Sequence, residues 1–157
     1  MEFADLLPAR MARAGGREPD RPQVAVIEDE REPGELALEV CQRMGLSARQ
    51  YRTSAAFQAA FAERRPDLVI LDWRLEREVA AAVYLALRHR FEALPIVLWT
   101  GTGEHDLPRM VARDPHTSVV PKPSGLEALE AAIRGAFAPA AVAEEETSHD
   151  GGVQGPA

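Results

Sequence analysis

Cysteine, lysine and long apolar runs are all scarce in this chain, and each scarcity excludes something. A single cysteine, Cys41, rules out an internal disulfide and suits a reducing compartment, so a cytoplasmic location is expected. The longest apolar stretch, Val79 to Leu87, is too short to cross a bilayer, and no membrane insertion is expected. Glu2 and Asp5 near the N-terminus, without a sustained apolar run, argue against a secretory signal. No basic stripe is present to neutralise phosphates, and the formal charge is −7, so direct nucleic-acid binding is disfavoured. The four histidines, His89, His105, His116 and His149, share no ligand spacing with cysteine, which makes a zinc site improbable and surface positions the plainer reading.

Lysine is the most telling scarcity. Of the 18 basic residues, all but Lys122 are arginine. Arginine's planar fork suits bidentate pairing, whereas lysine presents a compact ammonium on a flexible stem. A site needing one narrow point charge against a small anion would resist replacement by arginine. Chance explains a lone lysine equally well until its neighbours are considered.

What is present reads as one globular domain with an appendage at each end. Hydrophobic residues at 46% and charged residues at 27% suffice for a core and exclude a disordered chain. Residues 1–22 hold Pro8, Gly15, Gly16, Pro19 and Pro22 with balanced charges, and are expected to be a flexible arm, with a short helix over Phe3–Met11 as an alternative. Residues 139–157 form an Ala/Glu/Gly/Pro-rich acidic tail, expected to be disordered. Its acids, Glu144, Glu145, Glu146 and Asp150, account for −4 and leave −3 on the body over 23–138.

Within that body, short apolar runs alternate with helical periodicity five times. Val24–Ile27 is the first run, followed by Leu36, Val40 and Met44 on one helical face that Gly45 ends. Ser47–Tyr51 is a weak second strand. Thr53 or Ser54 can cap a helix carrying Phe57, Ala60 and Phe61, stopped by Pro66. Leu68–Leu71 is the third run, ending at Asp72, and Val79, Val83 and Leu87 mark the next helix. Pro95–Trp99 leads to Thr100 and Gly101, and a short helix is expected near Leu107–Arg113. Val119-Val120 is the last run, before a helix striped by Leu126, Leu129, Ile133 and Phe137.

Continuous apolar strands separated by helices predict an α/β fold, a doubly wound five-stranded parallel sheet covered on both faces. Right-handed crossovers put every strand's carboxyl end on one edge, where such sheets bind ligands. Glu28, Asp29, Asp72, Thr100 and Lys122 all follow strands and are expected to converge there. Three carboxylates so gathered repel one another by roughly 4 kcal/mol per pair at about 4 Å and an effective dielectric near 20. One lysine cannot offset that. A divalent cation completes the set, and all-oxygen ligands suit Mg²⁺.

Val26-Ile27-Glu28-Asp29-Glu30, Pro66–Asp72, Trp99-Thr100-Gly101 and Pro121-Lys122-Pro123, in that order, resemble the receiver domain of bacterial two-component response regulators over about residues 22–138. The resemblance implies a flavodoxin-like (βα)5 architecture, with Asp72 accepting a phosphoryl group from a sensor histidine kinase or histidine phosphotransfer protein. It also implies that Asp29 and Asp72 hold Mg²⁺ with the backbone carbonyl of Arg74, assisted by Glu28. Thr100 and Lys122 would contact phosphoryl oxygens, and a cis Lys122–Pro123 bond is a candidate means of aiming the ammonium. With no further folded domain expected after residue 138, a stand-alone receiver acting on an unknown downstream protein is the expected function. It would be a phosphoacceptor rather than an enzyme.

The sequence departs from the family in three places. The loop after Asp72 reads Leu75-Glu76-Arg77-Glu78-Val79-Ala80, without the usual Met-Pro and Asp-Gly. Val119 stands where an aromatic often swings inward, and it is too small and too stiff at χ1 for that movement. Gly101 replaces the commoner alanine. Arg74 and Thr102 would flank the phosphoryl group and tune its lifetime. Taken singly, the residues have plainer readings: Asp72 as a turn or cap, Glu28–Glu30 as a solvated helix start, Thr100-Gly101 as turn chemistry. A phosphate-independent receiver-like adaptor is therefore an alternative. An aspartate-nucleophile phosphatase would need an acid where Arg74 stands. A flavin-binding variant would need a Gly/Ser/Thr-rich phosphate loop after the first strand.

Overall fold

The apolar runs become strands because each supplies β-branched or large aliphatic side chains to both faces of one sheet. In the computed structural model, which describes residues 21–101 and 107–138, the order is β1 (Gln23–Ile27), α1 (Arg31–Arg43), β2 (Ser47–Tyr51), α2 (Ser54–Ala60), β3 (Leu68–Asp72) and α3 (Ala80–Arg90). It continues with β4 (Ile96–Thr100), α4 (Arg109–Ala112), β5 (Thr117–Pro121), a 3₁₀ turn (Lys122–Ser124) and α5 (Leu126–Phe137). The five strands pair in the order β2-β1-β3-β4-β5, every neighbour parallel. The doubly wound sheet expected from the sequence is thus present. The expected tail, the Phe3–Met11 helix and all of the expected arm but Arg21 and Pro22 lie outside the described residues.

Alternation along the strands divides the core in two. Val24, Val26, Leu68, Ile70, Val97, Trp99 and Val120 face α1 and α5, meeting Ala37, Val40, Cys41 and Met44 from one and Leu129, Ile133 and Phe137 from the other. Ala25, Ile27, Val69, Leu71, Ile96 and Leu98 face α2 and α3, where Phe57, Phe61, Val83, Tyr84 and Leu87 complete the second layer. Burial of Cys41 pushes its thiol up to about 12, so it serves as a small core residue rather than a nucleophile.

Several local expectations change. Leu36 is 37% exposed, because α1 turns Ala37, Val40, Cys41 and Met44 toward the sheet. Val79 is 69% exposed and caps α3 instead of joining its buried stripe. The helix after β2 ends at Ala60, well before Pro66, and Ala60 is exposed while Phe61 is buried. Its carbonyl end is held from outside, with Arg90 donating to the carbonyls of Phe61 and Ala62. Thr53 caps the same helix, its hydroxyl oxygen accepting from Ala56 N–H at 3.1 Å. Gly45 takes φ +78° after α1, a conformation that glycine adopts without Cβ strain. His89 and His116 are exposed, and α4 is shorter than the stretch expected around it.

Candidate functional site: an acidic pocket at the carboxyl edge of the sheet

Parallel strands deliver three acids and one base to the same edge. Glu28 follows β1 directly, and its amide donates to the Tyr51 carbonyl at 3.1 Å, carrying the pairing with β2 one step further. Asp72 is the last residue of β3, in register with Trp99 of β4. Glu28, Asp29 and Asp72 each offer a carboxylate oxygen within 4.8 Å of the other two. Glu28 and Asp72 are buried and Asp29 is half-buried. Lys122 leaves β5 and reaches back, its Nζ 3.4 Å from Asp72 Oδ2 and 3.5 Å from Glu28 Oε2. The same ammonium lies over the Trp99 ring, 5.3 Å from its centroid.

The pocket carries more negative charge than it can balance. Burial, then a hydrogen bond to Asp72 and repulsion from it, push the Glu28 carboxyl up to about 8, and Lys122 only partly opposes this. Asp29 Oδ2 accepts from Glu76 N–H at 2.6 Å, but Asp29 Oδ1 is buried with no hydrogen-bond partner among the described residues. A buried acceptor left without a partner costs about 1–3 kcal/mol, more when charged, and calls for an explanation such as an ion. An orphaned carboxylate oxygen, with two further carboxylates inside 4.8 Å, fits a hard divalent cation such as Mg²⁺.

The remaining expected residues fall at the same edge. Thr100 is fully buried at the end of β4, one residue beyond the partner of Asp72. Arg74 N–H donates to Asp72 Oδ1 at 3.0 Å, while its side chain is exposed. No cis peptide bond occurs among the described residues, so the cis Lys122–Pro123 linkage is not found. Lys122 reaches both acids without it, from the start of the 3₁₀ turn. Val119 packs half-buried against the α2–α3 layer, a small side chain on that face. Thr102 lies outside the described residues.

Sequence reasoning missed two contributors. Trp99 underlies Lys122, and its only signal was an indole ending an otherwise aliphatic run. Gln50, on the edge strand, donates from Nε2 to the carbonyls of Glu28 at 2.8 Å and Glu30 at 3.0 Å. Nothing in the pattern of β2 distinguished it.

A five-stranded parallel sheet covered by helices on both faces is the doubly wound class, whose ligands bind outside the carboxyl ends of the strands, where these acids and the lysine lie. Residues 24–134 match the sequence profile of the response regulator receiver domain, and the chain belongs to that family. A curated relative, the phosphate regulon transcriptional regulatory protein PhoB of Rhizobium meliloti (strain 1021), is 37% identical over 90 residues. The match takes in 53% of this chain but 37% of the relative's length, so the chain spans little more than a third of it. The non-phosphorylated HemR receiver domain of Leptospira biflexa superposes with a TM-score of 0.68 at 18% identity, covering 76% of this chain and 96% of that one. The chemotaxis response regulator CheY4 of Vibrio cholerae gives 0.65 at 16% identity, covering 74% and 98%. At such identities the two structures speak to fold. No helix among the described residues is long and apolar enough to cross a membrane.

Proposed function

We propose that this protein is a cytoplasmic receiver that accepts a phosphoryl group on Asp72 from the phosphohistidine of a sensor kinase or phosphotransfer protein. The observation that carries the reading is the unbalanced acid cluster, three carboxylates within 4.8 Å sharing one lysine. An Asp72 carboxylate oxygen attacks phosphorus in line, the P–O bond forms as the P–N bond breaks, and the imidazole nitrogen leaves with the bonding pair. Such transfer needs positioning and charge neutralisation more than covalent work by the protein. Glu28, Asp29, Asp72 and the Arg74 carbonyl would hold Mg²⁺, which would supply positive charge to offset that of the phosphoryl oxygens beside the acids. Thr100 donates its hydroxyl to one phosphoryl oxygen. Lys122 pairs with another and releases its hold on Asp72 to do so. Output is through protein contacts with a downstream partner.

A second reading, a phosphate-independent adaptor, is favoured by one observation: Val119 offers no ring to swing when Thr100 engages phosphate. Trp73 and Trp99 flank the site in sequence and separate the two readings. Adding Mg²⁺ and then a small phosphodonor should change tryptophan fluorescence in wild type in two steps, with the second absent in Asp72→Asn. A donor response that survives Asp72→Asn removes Asp72 from its role; no donor response in either protein favours the adaptor.

A further inference from the structure

The β1–α1 loop contributes two of the acids, and three hydrogen bonds hold it through Glu28 N–H, Glu30 N–H and the Asp29 carboxylate: Glu28 N–H donates to the Tyr51 carbonyl, Glu30 N–H to Glu28 Oε1 at 3.2 Å, and Glu76 N–H to Asp29 Oδ2. Glu28-Asp29-Glu30 is a short connection between β1 and α1, and Glu30, which caps α1, makes no capping hydrogen bond with its side chain. The loop's carbonyls are restrained from β2. Gln50 Nε2 donates both amide hydrogens, one to the Glu28 carbonyl at 2.8 Å and one to the Glu30 carbonyl at 3.0 Å, bracketing Asp29. The Glu30 carbonyl also accepts from Gly34 N–H at 3.3 Å, so the clamp is joined to the first turn of α1.

Gly34 explains how the clamp fits. Glycine is a poor choice inside a helix, and here its φ is ordinary, so backbone conformation does not require it. Space does: a Cβ on Gly34 would collide with all three heavy atoms of the Gln50 amide. The helix accepts a weak residue so that the Gln50 side chain can lie across it and reach both carbonyls.

We infer that Gln50, lodged against Gly34, is the positioning residue that presets the Glu28–Asp29 loop for the divalent cation. This rests on the reading of the acid cluster as a Mg²⁺ site. An amide of this length supplies two hydrogens to two carbonyls without adding charge. Glutamate in its place supplies none and adds a fourth negative charge.

Magnesium affinity, measured by calorimetry on the full chain, tests the inference, with chemical unfolding in EDTA measured alongside. Gln50→Ala should weaken Mg²⁺ binding about tenfold, and Gln50→Glu at least as much. Gly34→Ala is the decisive variant, because alanine favours the helix while displacing the far end of a flexible side chain. It should leave unfolding in EDTA unchanged or shifted to higher denaturant, yet weaken Mg²⁺ binding by a similar factor. The double variant Gly34→Ala/Gln50→Ala should bind no more weakly than either single one, since both remove the same clamp. At saturating Mg²⁺, phosphoryl uptake from a small donor should return to the wild-type rate in each. Wild-type Mg²⁺ affinity in Gly34→Ala and Gln50→Ala overturns the clamp while leaving the ion site standing. Absence of Mg²⁺ binding by wild type overturns the site reading itself.

Discussion

Two charged clusters lie at the two ends of β5, one around Thr117 and one around Lys122, and they are built on opposite principles. Near α3 and β5, Arg88 Nε meets Asp114 Oδ2 at 2.8 Å, and the same carboxylate accepts from the Tyr84 and Thr117 hydroxyls and from the His116 amide. Arg88 spends its other hydrogens on Thr117 Oγ1 and on the carbonyls of Phe91, Glu92 and Leu94. Burial alone would raise Asp114, but these donors hold it below its ordinary value. The acidic pocket is the reverse: one ammonium for three carboxylates, an orphaned Asp29 oxygen and a Glu28 pushed up to about 8. A cluster that closes its own hydrogen bonds is structural. One left open is built for something that arrives.

The largest effect should come from breaking the closed cluster. Arg88→Ala leaves a mostly buried Asp114 without its cation and frees three carbonyls, and should cost about 3–5 kcal/mol in chemical unfolding. The Mg²⁺ affinity of whatever remains folded should be that of wild type. A loss much below 1 kcal/mol would make the network ornamental.

The pH response should be next in size, and the two clusters should pull it in opposite directions. Glu28 rises from 4.5 to about 8 on folding, so the folded state binds its proton more tightly than the unfolded one. Without divalent ions, stability from this group is full below about 4.5 and is lost as pH climbs through about 8. Asp114 is lowered from 3.8, so its contribution is present above that value and is lost on further acidification. Unfolding followed from pH 3 to pH 9 in EDTA should therefore fall at both ends. Glu28→Gln should abolish the alkaline fall alone. Saturating Mg²⁺ should also flatten it, because the cation replaces the proton; an alkaline fall unchanged by either treatment contradicts the assignment.

Smaller again is the effect of Arg74, whose side chain is exposed and whose backbone N–H donates to the proposed acceptor Asp72. If it hinders the attacking water, Arg74→Ala should lose phosphate a few times faster than wild type in a timed dephosphorylation assay. Slower loss from the variant, or an equal rate, returns Arg74 to a solvent-facing role.

The open cluster was legible in the sequence and the closed one was not, for a physical reason. Strands buried on both faces read as continuous apolar runs, so the residues that end them, Glu28, Asp72, Thr100 and Lys122, stand out as polar atoms at a common edge. Arg88 and Asp114 lie 26 residues apart on a helix and a loop, and no periodicity links them. Gln50 was hidden because β2 is an edge strand of mixed polarity, Ser-Ala-Arg-Gln-Tyr, where one amide among polar neighbours carries no mark. Leu36 misled because hydrophobicity alone ranks it above Ala37, yet α1 packs close to the sheet through small residues. Val79 misled because the spacing to Val83 is helical while the helix begins one residue later.

The most direct test is the intact mass of the protein after brief exposure to a small phosphodonor, with and without Mg²⁺. A single phosphate-sized increment, requiring Mg²⁺ and absent from Asp72→Asn, is the expected result. An increment of equal size in EDTA, or one that persists in Asp72→Asn, would contradict the account.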